Sequence, residues 1–304
     1  MKLNVTSSFW QLLAQTPSQE RTAIVTYALQ SVFAIGKFRH SGHLSSTPTM
    51  TRIPLRSGRL QPVLYSVVDV YDRRVARLFI KSLQPRIEFA KLTVKKLRLN
   101  PSVHPAQGTK ILLLCKGLQE LTLDVVVNST YDRSRLHGAL NTLRITTLFL
   151  NLTATFYGPT IFLPELRLLR RIERLHLTNT WVSWRGLFIG LQELCQLTHL
   201  SFHVCPPGEL ALHIDVLFEI LKRFWRLRAV ILWRMEYQES QKIYDHLNEQ
   251  DLADRRIVVF NTVHFAEFRT APVNSFWELA ESIIQWRETN NCMSPIAFVY
   301  SHQL

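Results

Sequence analysis

One spacing recurs along this chain and decides most of what it can fold into. The pattern apolar-x-x-apolar-x-apolar occurs as Val94-x-x-Leu97-x-Leu99 and again as Leu118-x-x-Leu121-x-Leu123. It returns at Ile145/Leu148/Leu150, Ile172/Leu175/Leu177, Leu197/Leu200/Phe202 and Leu227/Val230/Leu232. Successive starts lie 24, 27, 27, 25 and 30 residues apart, and a weaker strand, Ile257–Phe260, begins 30 residues after Leu227. The last three positions of each unit alternate apolar, polar, apolar, which is the period of a strand with one buried face. Between the strands the period changes to that of a helix, most clearly at Thr109–Gly117, Trp184–Leu194 and Glu209–Trp225. In the last of these Leu210, Ile214, Leu217, Ile220, Leu221 and Phe224 fall on one stripe.

A strand and a helix of this length cannot close a core alone, whereas stacked copies can bury a continuous ladder of leucines. Periods of this size are those of leucine-rich repeats. The expected fold is therefore α/β: a leucine-rich-repeat-like solenoid with parallel strands on one face, helices on the other, and a C-terminal helical cap. The expected divisions are a poorly ordered or partly helical region over 1–60, the solenoid over 61–262 and a capping region over 263–304. Ser275–Glu288 is the cap candidate, with Ser275 and Glu278 spaced as a capping box. Trp277, Ala280, Ile284 and Trp286 would seal the last repeat.

Charge sharpens the first boundary. The chain carries 36 Lys and Arg against 23 Asp and Glu, a net +13. Residues 1–60 hold +6 of that, with Glu20 the single acid, and the remaining +7 is spread over 244 residues. A leader that is Ser-rich and acid-poor is also the composition of an organelle transit peptide. The apolar run Thr22–Gly36 is shorter than the roughly 20 residues a membrane span needs, so no membrane association is expected. Four cysteines without a CxxC pair indicate a reducing compartment, cytoplasmic or nuclear, rather than a disulfide scaffold. Ten glycines are few for a fold built on phosphate-binding loops.

Leu60–Leu83, Cys115–Leu123, Leu194–Phe202 and Arg256–Arg287 resemble segments of basidiomycete F-box-like proteins. The first is similar to the strand and helix that follow the F-box in that family. Cys115–Leu123 resembles its next step, and Leu194–Phe202 resembles its "LpnLTHLa" unit. Arg256–Arg287 is similar to its C-terminal strand and the "FW..A...i..R" helix. Together these span roughly residues 60–288. The resemblance implies the substrate-recognition part of an F-box subunit of a cullin–RING ubiquitin ligase. The "LP.Ei" opening of an F-box is missing from residues 1–59, so the F-box position is degenerate. Binding of a Skp-type adaptor is implied only if a remnant of that module functions.

No GxSxG, GxxxxGK[ST] or HExxH motif is present. His203 and Cys205 form an isolated HxC pair, which a buried thiol and a surface imidazole explain better than zinc. No catalytic activity, cofactor or metal is expected. The expected site is the concave strand face, where the polar slots of stacked strands line up in columns. The first column reads Lys96, Glu120, Thr147, Arg174, His199, Ala229. The second reads Arg98, Thr122, Phe149, His176, Ser201, Ile231, and the third Asn100, Asp124, Asn151, Thr178, His203, Trp233. Arg98, Glu120, Asp124, Phe149, Asn151, Arg174, His176, His199, His203 and Trp233 are the candidate contacts to a protein target, with Phe149 and Trp233 as exposed anchors. The alternative is a nucleic-acid or anionic-surface binder, for which the basic clusters Lys95–Lys96, Arg167–Arg174 and Lys222–Arg228 would have to converge. Against that alternative, Phe224 and Trp225 of the last cluster fit the core stripe.

Overall fold

The computed structural model describes residues 65–156, 163–180, 194–203, 217, 220–234, 254–261 and 275–290. All of them belong to one unit, Leu64–Leu304. The Thr22–Gly36 run, nearly all of Trp184–Leu194, most of Glu209–Trp225, Cys205 and the boundaries expected at 60 and 262 lie outside the described residues. So does the side chain of Ser275, half of the expected capping box.

Eight strands form one parallel sheet in sequential order. They are β1 (Val67–Val70), β2 (Lys96–Leu99), β3 (Glu120–Leu123), β4 (Thr147–Leu150), β5 (Arg174–Thr180), β6 (His199–His203), β7 (Ala229–Arg234) and β8 (Ile257–Asn261). The described helices are α1 (Arg73–Leu83), α2 (Ile87–Thr93), α3 (Pro105–Leu114), α4 (Thr130–Leu140), the single turn α5 (Leu152–Thr155) and α6 (Ser275–Thr289).

The recurrent spacing sets the register. Leu97, Leu121, Leu148, Leu175, Leu200, Val230 and Ile257 are successive partners across the sheet. So are Leu99, Leu123, Leu150, Leu177, Phe202, Leu232 and Val259. All are buried and belong to one core with the inner faces of α1, α3 and α4. Removing each of these side chains from water contributes about 1.5–3 kcal/mol.

The connections repeat as well. Before β3, β5, β6 and β7 a buried residue, Cys115, Leu169, Leu194 or Phe224, closes a tight turn by accepting the amide three residues on. At the entrances of β3 to β7 one carbonyl accepts two successive amides of the next strand. Lys95, Gln119, Thr146, Glu173 and Thr198 all do this.

Local chemistry starts each helix. The Asp72 carboxylate accepts the Val75 amide at 2.7 Å, and Ala76, Phe79, Ile80 and Leu83 place the buried stripe of α1. Ser129 caps α4 through the Asp132 amide at 3.1 Å. The helix expected over Thr109–Gly117 runs from Pro105 to Leu114 instead. Proline supplies a preformed first turn, and the tight turn after Leu114 ends the helix. At Gly117 that turn presses on the end of α2, and a β-carbon there would lie 1.7 Å from the Lys91 carbonyl oxygen.

Three differences from the sequence reading concern the sheet. β1 is the strand that the Leu60–Leu83 resemblance implied, although the recurrent spacing had not been extended to it, and it pairs Val68 and Val70 with Leu97 and Leu99. Its frame is Tyr65-x-x-Val68-x-Val70, with Tyr65 in the place of leucine. β8 enters 27 residues after Val230 in register, and Asp254 occupies the apolar first position. That carboxylate is neutralised by Arg256 at 2.6 Å, whose guanidinium also donates to the Leu227 carbonyl at 3.3 Å. The third column breaks at β5, where His203 pairs with Thr180 rather than Thr178 across an irregularity after Leu177.

Candidate functional site

The strand residues that alternate with the leucine ladder form a second face of the sheet, the slot face. Its first two columns align as the spacing requires. Lys96 pairs with Glu120, Thr147, Arg174, His199 and Ala229 in turn, and Arg98 with Thr122, Phe149, His176, Ser201 and Ile231. The face is not uniformly open to solvent. Over β4–β8 it is the floor of a second hydrophobic core, roofed by α6.

Phe149, Ala229, Ile231, Trp233, Val258 and Phe260 come from the strands. Phe276, Trp277, Ala280, Ile283 and Ile284 come from one side of α6. Phe276 lies edge-on to Phe149 at 6.0 Å and to Trp233 at 5.5 Å between centroids. Arg287, buried near the end of α6, donates to the Ile257 carbonyl at 2.6 Å and the Arg255 carbonyl at 3.3 Å. The helix expected as an end seal therefore lies across the slot face. Trp286, expected in the seal, is exposed.

Phe149 and Trp233, expected as exposed anchors, are 6% and 0% exposed, and His176 and His199 are buried with them. The physical reason lies in the slot residues. They change from charged on β2 to apolar on β7 and β8, where Ala229–Trp233 and Ile257–Phe260 are continuous apolar runs. Such runs signal strands covered on both faces, and this is the signal that would have located the roof.

Four side chains inside the roofed region or at its margin, Trp233, Ser201, His176 and His203, are linked in a chain. The Trp233 indole N–H donates to Ser201 Oγ at 2.6 Å, and the Ser201 hydroxyl lies 2.9 Å from His176 Nδ1. His203, half-buried, stacks edge-on to His176 at 5.5 Å. His199 ties the two layers together. Its Nε2 lies 2.9 Å from Glu281 Oε1 on α6, and its Nδ1 2.8 Å from the Thr198 hydroxyl. Trp277 packs edge-on against its ring at 5.5 Å.

Burial pushes the His199 imidazole down to about 4, against the pull of the Glu281 carboxylate, and Arg174 and Arg228 add to the lowering. The ring is neutral, with Nε2–H donating to Glu281. An unfolded histidine titrates near 6.5. Between about pH 6.5 and 4 the unfolded chain thus binds a proton that the folded chain refuses, and stability falls as pH is lowered through that window. His137 is also held below its usual value by burial and steepens the fall. The expected loss from His199 by pH 4.5 is on the order of 2–3 kcal/mol. Urea unfolding of the parent and His199→Gln between pH 7 and 4.5 checks it. Parallel profiles for the two proteins would remove His199 as the source.

The β1–β3 part of the slot face has another character. Asp69 is exposed, and Lys96, Arg98, Asn100 and Thr122 are half-buried. Lys96 holds Glu120 at 3.1 Å. Glu120 is 6% exposed, and burial raises its carboxyl above the usual range despite Lys96. Asp69 accepts from Asn100 Nδ2 at 2.6 Å rather than from its register partner Arg98. The Arg98 Nε–H is shielded and has no acceptor among the described residues. Asp124 is buried, while Asn151 caps α5 through the Ala154 amide at 3.0 Å. Arg174 is half-buried at the margin of the roof. Of the ten candidate residues, then, Arg98 and Arg174 present partly exposed cations, Glu120 and Asn151 are engaged internally, and the aromatic anchors are under the helix.

Among the described residues no group of three or more His, Cys, Asp or Glu could hold a metal ion. No described helix is long and apolar enough to cross a membrane. The chain matches no family model and no curated protein.

Proposed function

We propose that this chain is a leucine-rich-repeat-like solenoid serving as a protein-interaction module without catalytic activity of its own, and that its target docks on the slot face over β1–β3. It would act like the substrate-recognition part of an F-box subunit of a cullin–RING ubiquitin ligase. The observation that supports this reading is the division of the slot face. An amphipathic helix of the same chain already covers β4–β8 through apolar contacts. The neighbouring strands keep polar, half-exposed side chains and an Arg98 N–H without an acceptor among the described residues. A target carboxylate or carbonyl could pair with the exposed part of the half-buried Arg98 guanidinium, and a hydrogen bond to a charged group contributes about 1.5–3 kcal/mol.

Affinity capture from cells, comparing the parent with Arg98→Glu at matched thermal stability, tests the reading. Recovery of a Skp-type adaptor and a cullin, together with proteins lost from the Arg98→Glu sample, is the expected result. Recovery of neither adaptor nor cullin removes the ligase role. A set of captured proteins unchanged by Arg98→Glu removes the slot face as the docking surface.

A further inference from the structure

The turns that lead into the strands form an edge of the sheet, and the basic clusters meet there. In register, the residues three and four positions before the first slot residue of β3 to β7 are Gly117 and Lys116, Arg144 and Leu143, Arg171 and Arg170, Gln196 and Cys195, Arg226 and Trp225. The residue immediately before that slot is Arg228 on β7 and Glu173 on β5. Lys116, Arg144, Arg170, Arg171, Arg226 and Arg228 are all exposed. Glu173 is the one acid in these three columns among the described residues. The turns touch one another. Cys195 Sγ donates to the Arg170 carbonyl at 3.4 Å, the Arg226 guanidinium to Gln196 Oε1 at 2.7 Å, and the Arg228 amide to the Thr198 carbonyl at 2.7 Å.

Trp225 stands on this edge. The spacing placed it with the core stripe, but Phe224 takes the core position at 7% exposed and Trp225 is 79% exposed. The Arg226 guanidinium lies over its ring at 4.8 Å. Cations just beyond helix C-termini offset the negative end of the helix dipole, which accounts for about one per turn. The pairs at Arg170–Arg171 and Arg226–Arg228, and an indole left in water, go beyond that need.

We propose that this edge binds single-stranded nucleic acid. Neighbouring strands are about 4.8 Å apart, so the turns before β3, β4, β5 and β7 set cations in a row, interrupted at β6 by Gln196 and Cys195, along which a flexible phosphate backbone can lie. Trp225 offers a face on which an unpaired base stacks, the combination that non-specific single-strand binders use. A duplex, whose bases are already stacked inside, would use the charge and not the indole. This surface is separate from the slot face over β1–β3.

The test is fluorescence anisotropy with a labelled 20-nucleotide oligouridylate and the full chain, in 50–200 mM salt. If about five phosphates are neutralised, affinity falls about a hundredfold over that range. Arg226→Glu/Arg228→Glu and Arg170→Glu/Arg171→Glu should each weaken binding at least tenfold, and Trp225→Ala about tenfold, with melting temperatures held. The control Arg74→Glu/Arg77→Glu, which reverses two charges on α1, should change affinity less than twofold. An oligouridylate that fails to bind at 50 mM salt, or an α1 control as damaging as the edge variants, overturns the proposal. So does poly-glutamate that competes as well as unlabelled oligouridylate, since the edge would then be reading acidic protein.

Discussion

Trp277→Ala is expected to lower the unfolding free energy by about 3–5 kcal/mol, the range for a large aromatic removed from a packed interior. Trp277 is fully buried between α6 and the sheet, 4.3 Å from Phe276 and 5.5 Å from His199 between ring centroids. Its indole N–H has no acceptor among the described residues, so the loss is one of packing and not of a hydrogen bond. For that reason Trp277→Phe should cost less than half as much, because it removes an unpaired donor along with part of the ring. Urea unfolding measures both values. Hydrogen exchange locates the change: amides of β6–β8 should lose protection in Trp277→Ala while those of β2 and β3 keep theirs. A cost under about 1 kcal/mol for the alanine variant would mean that α6 does not pack on the slot face in solution.

Leu121→Ala and Leu148→Ala are each expected to cost about 2–5 kcal/mol. Both side chains are 0–1% exposed and are direct register partners on β3 and β4. Their joint effect should depart from the sum of the two by about 0.5 kcal/mol or more, since residues that share a cavity couple. Leu121→Ala combined with Ile257→Val should instead be additive within about 0.5 kcal/mol. Ile257 lies on β8 at the far end of a sequential sheet. In a stacked repeat each unit contacts only its neighbours, and coupling should fade with strand separation. Coupling between Leu121 and Ile257 as large as that between Leu121 and Leu148 would contradict this linear arrangement.

The ladder was readable from the sequence because its information is local and redundant. Each strand carries two apolar residues two apart, and the same frame returns until the register has no alternative. β1 was expected from the Leu60–Leu83 resemblance but not from the spacing, because tyrosine stands in the frame at position 65 and two valines fill the rungs. β8 was found but misaligned, because Asp254 occupies an apolar position and is made tolerable by Arg256, a relation visible only when the two are in space. The first two slot columns were right for the same reason as the ladder, the third slipped at the irregularity after Leu177, and the solvent exposure assigned to the face was not right. Exposure depends on what lies above a strand, and α6 is separated from β8 by residues that carry no periodic signal. The run Ala229–Trp233 held the warning, since an exposed face has no reason to be filled with Ala, Ile and Trp. Trp225 was misjudged in the opposite direction. A helical stripe has a margin one residue wide, and the helix ends at Arg223 before Trp225 can turn inward.

Apart from the pair across the β5 irregularity, register partners on adjacent strands are separated by as few as 24 and as many as 30 residues, yet the pairing runs from β1 to β8. All of that variation falls in the connections between the strands. A lineage carrying this architecture can gain or shed residues there without disturbing a single rung, so those connections are where related sequences should drift in length. The rungs tolerate no such drift, because a slip of one residue would turn every ladder side chain to the opposite face. Over β1–β3 only alternate residues are bound by that constraint. Under α6 both alternations are, so the C-terminal strands should diverge more slowly than the N-terminal ones.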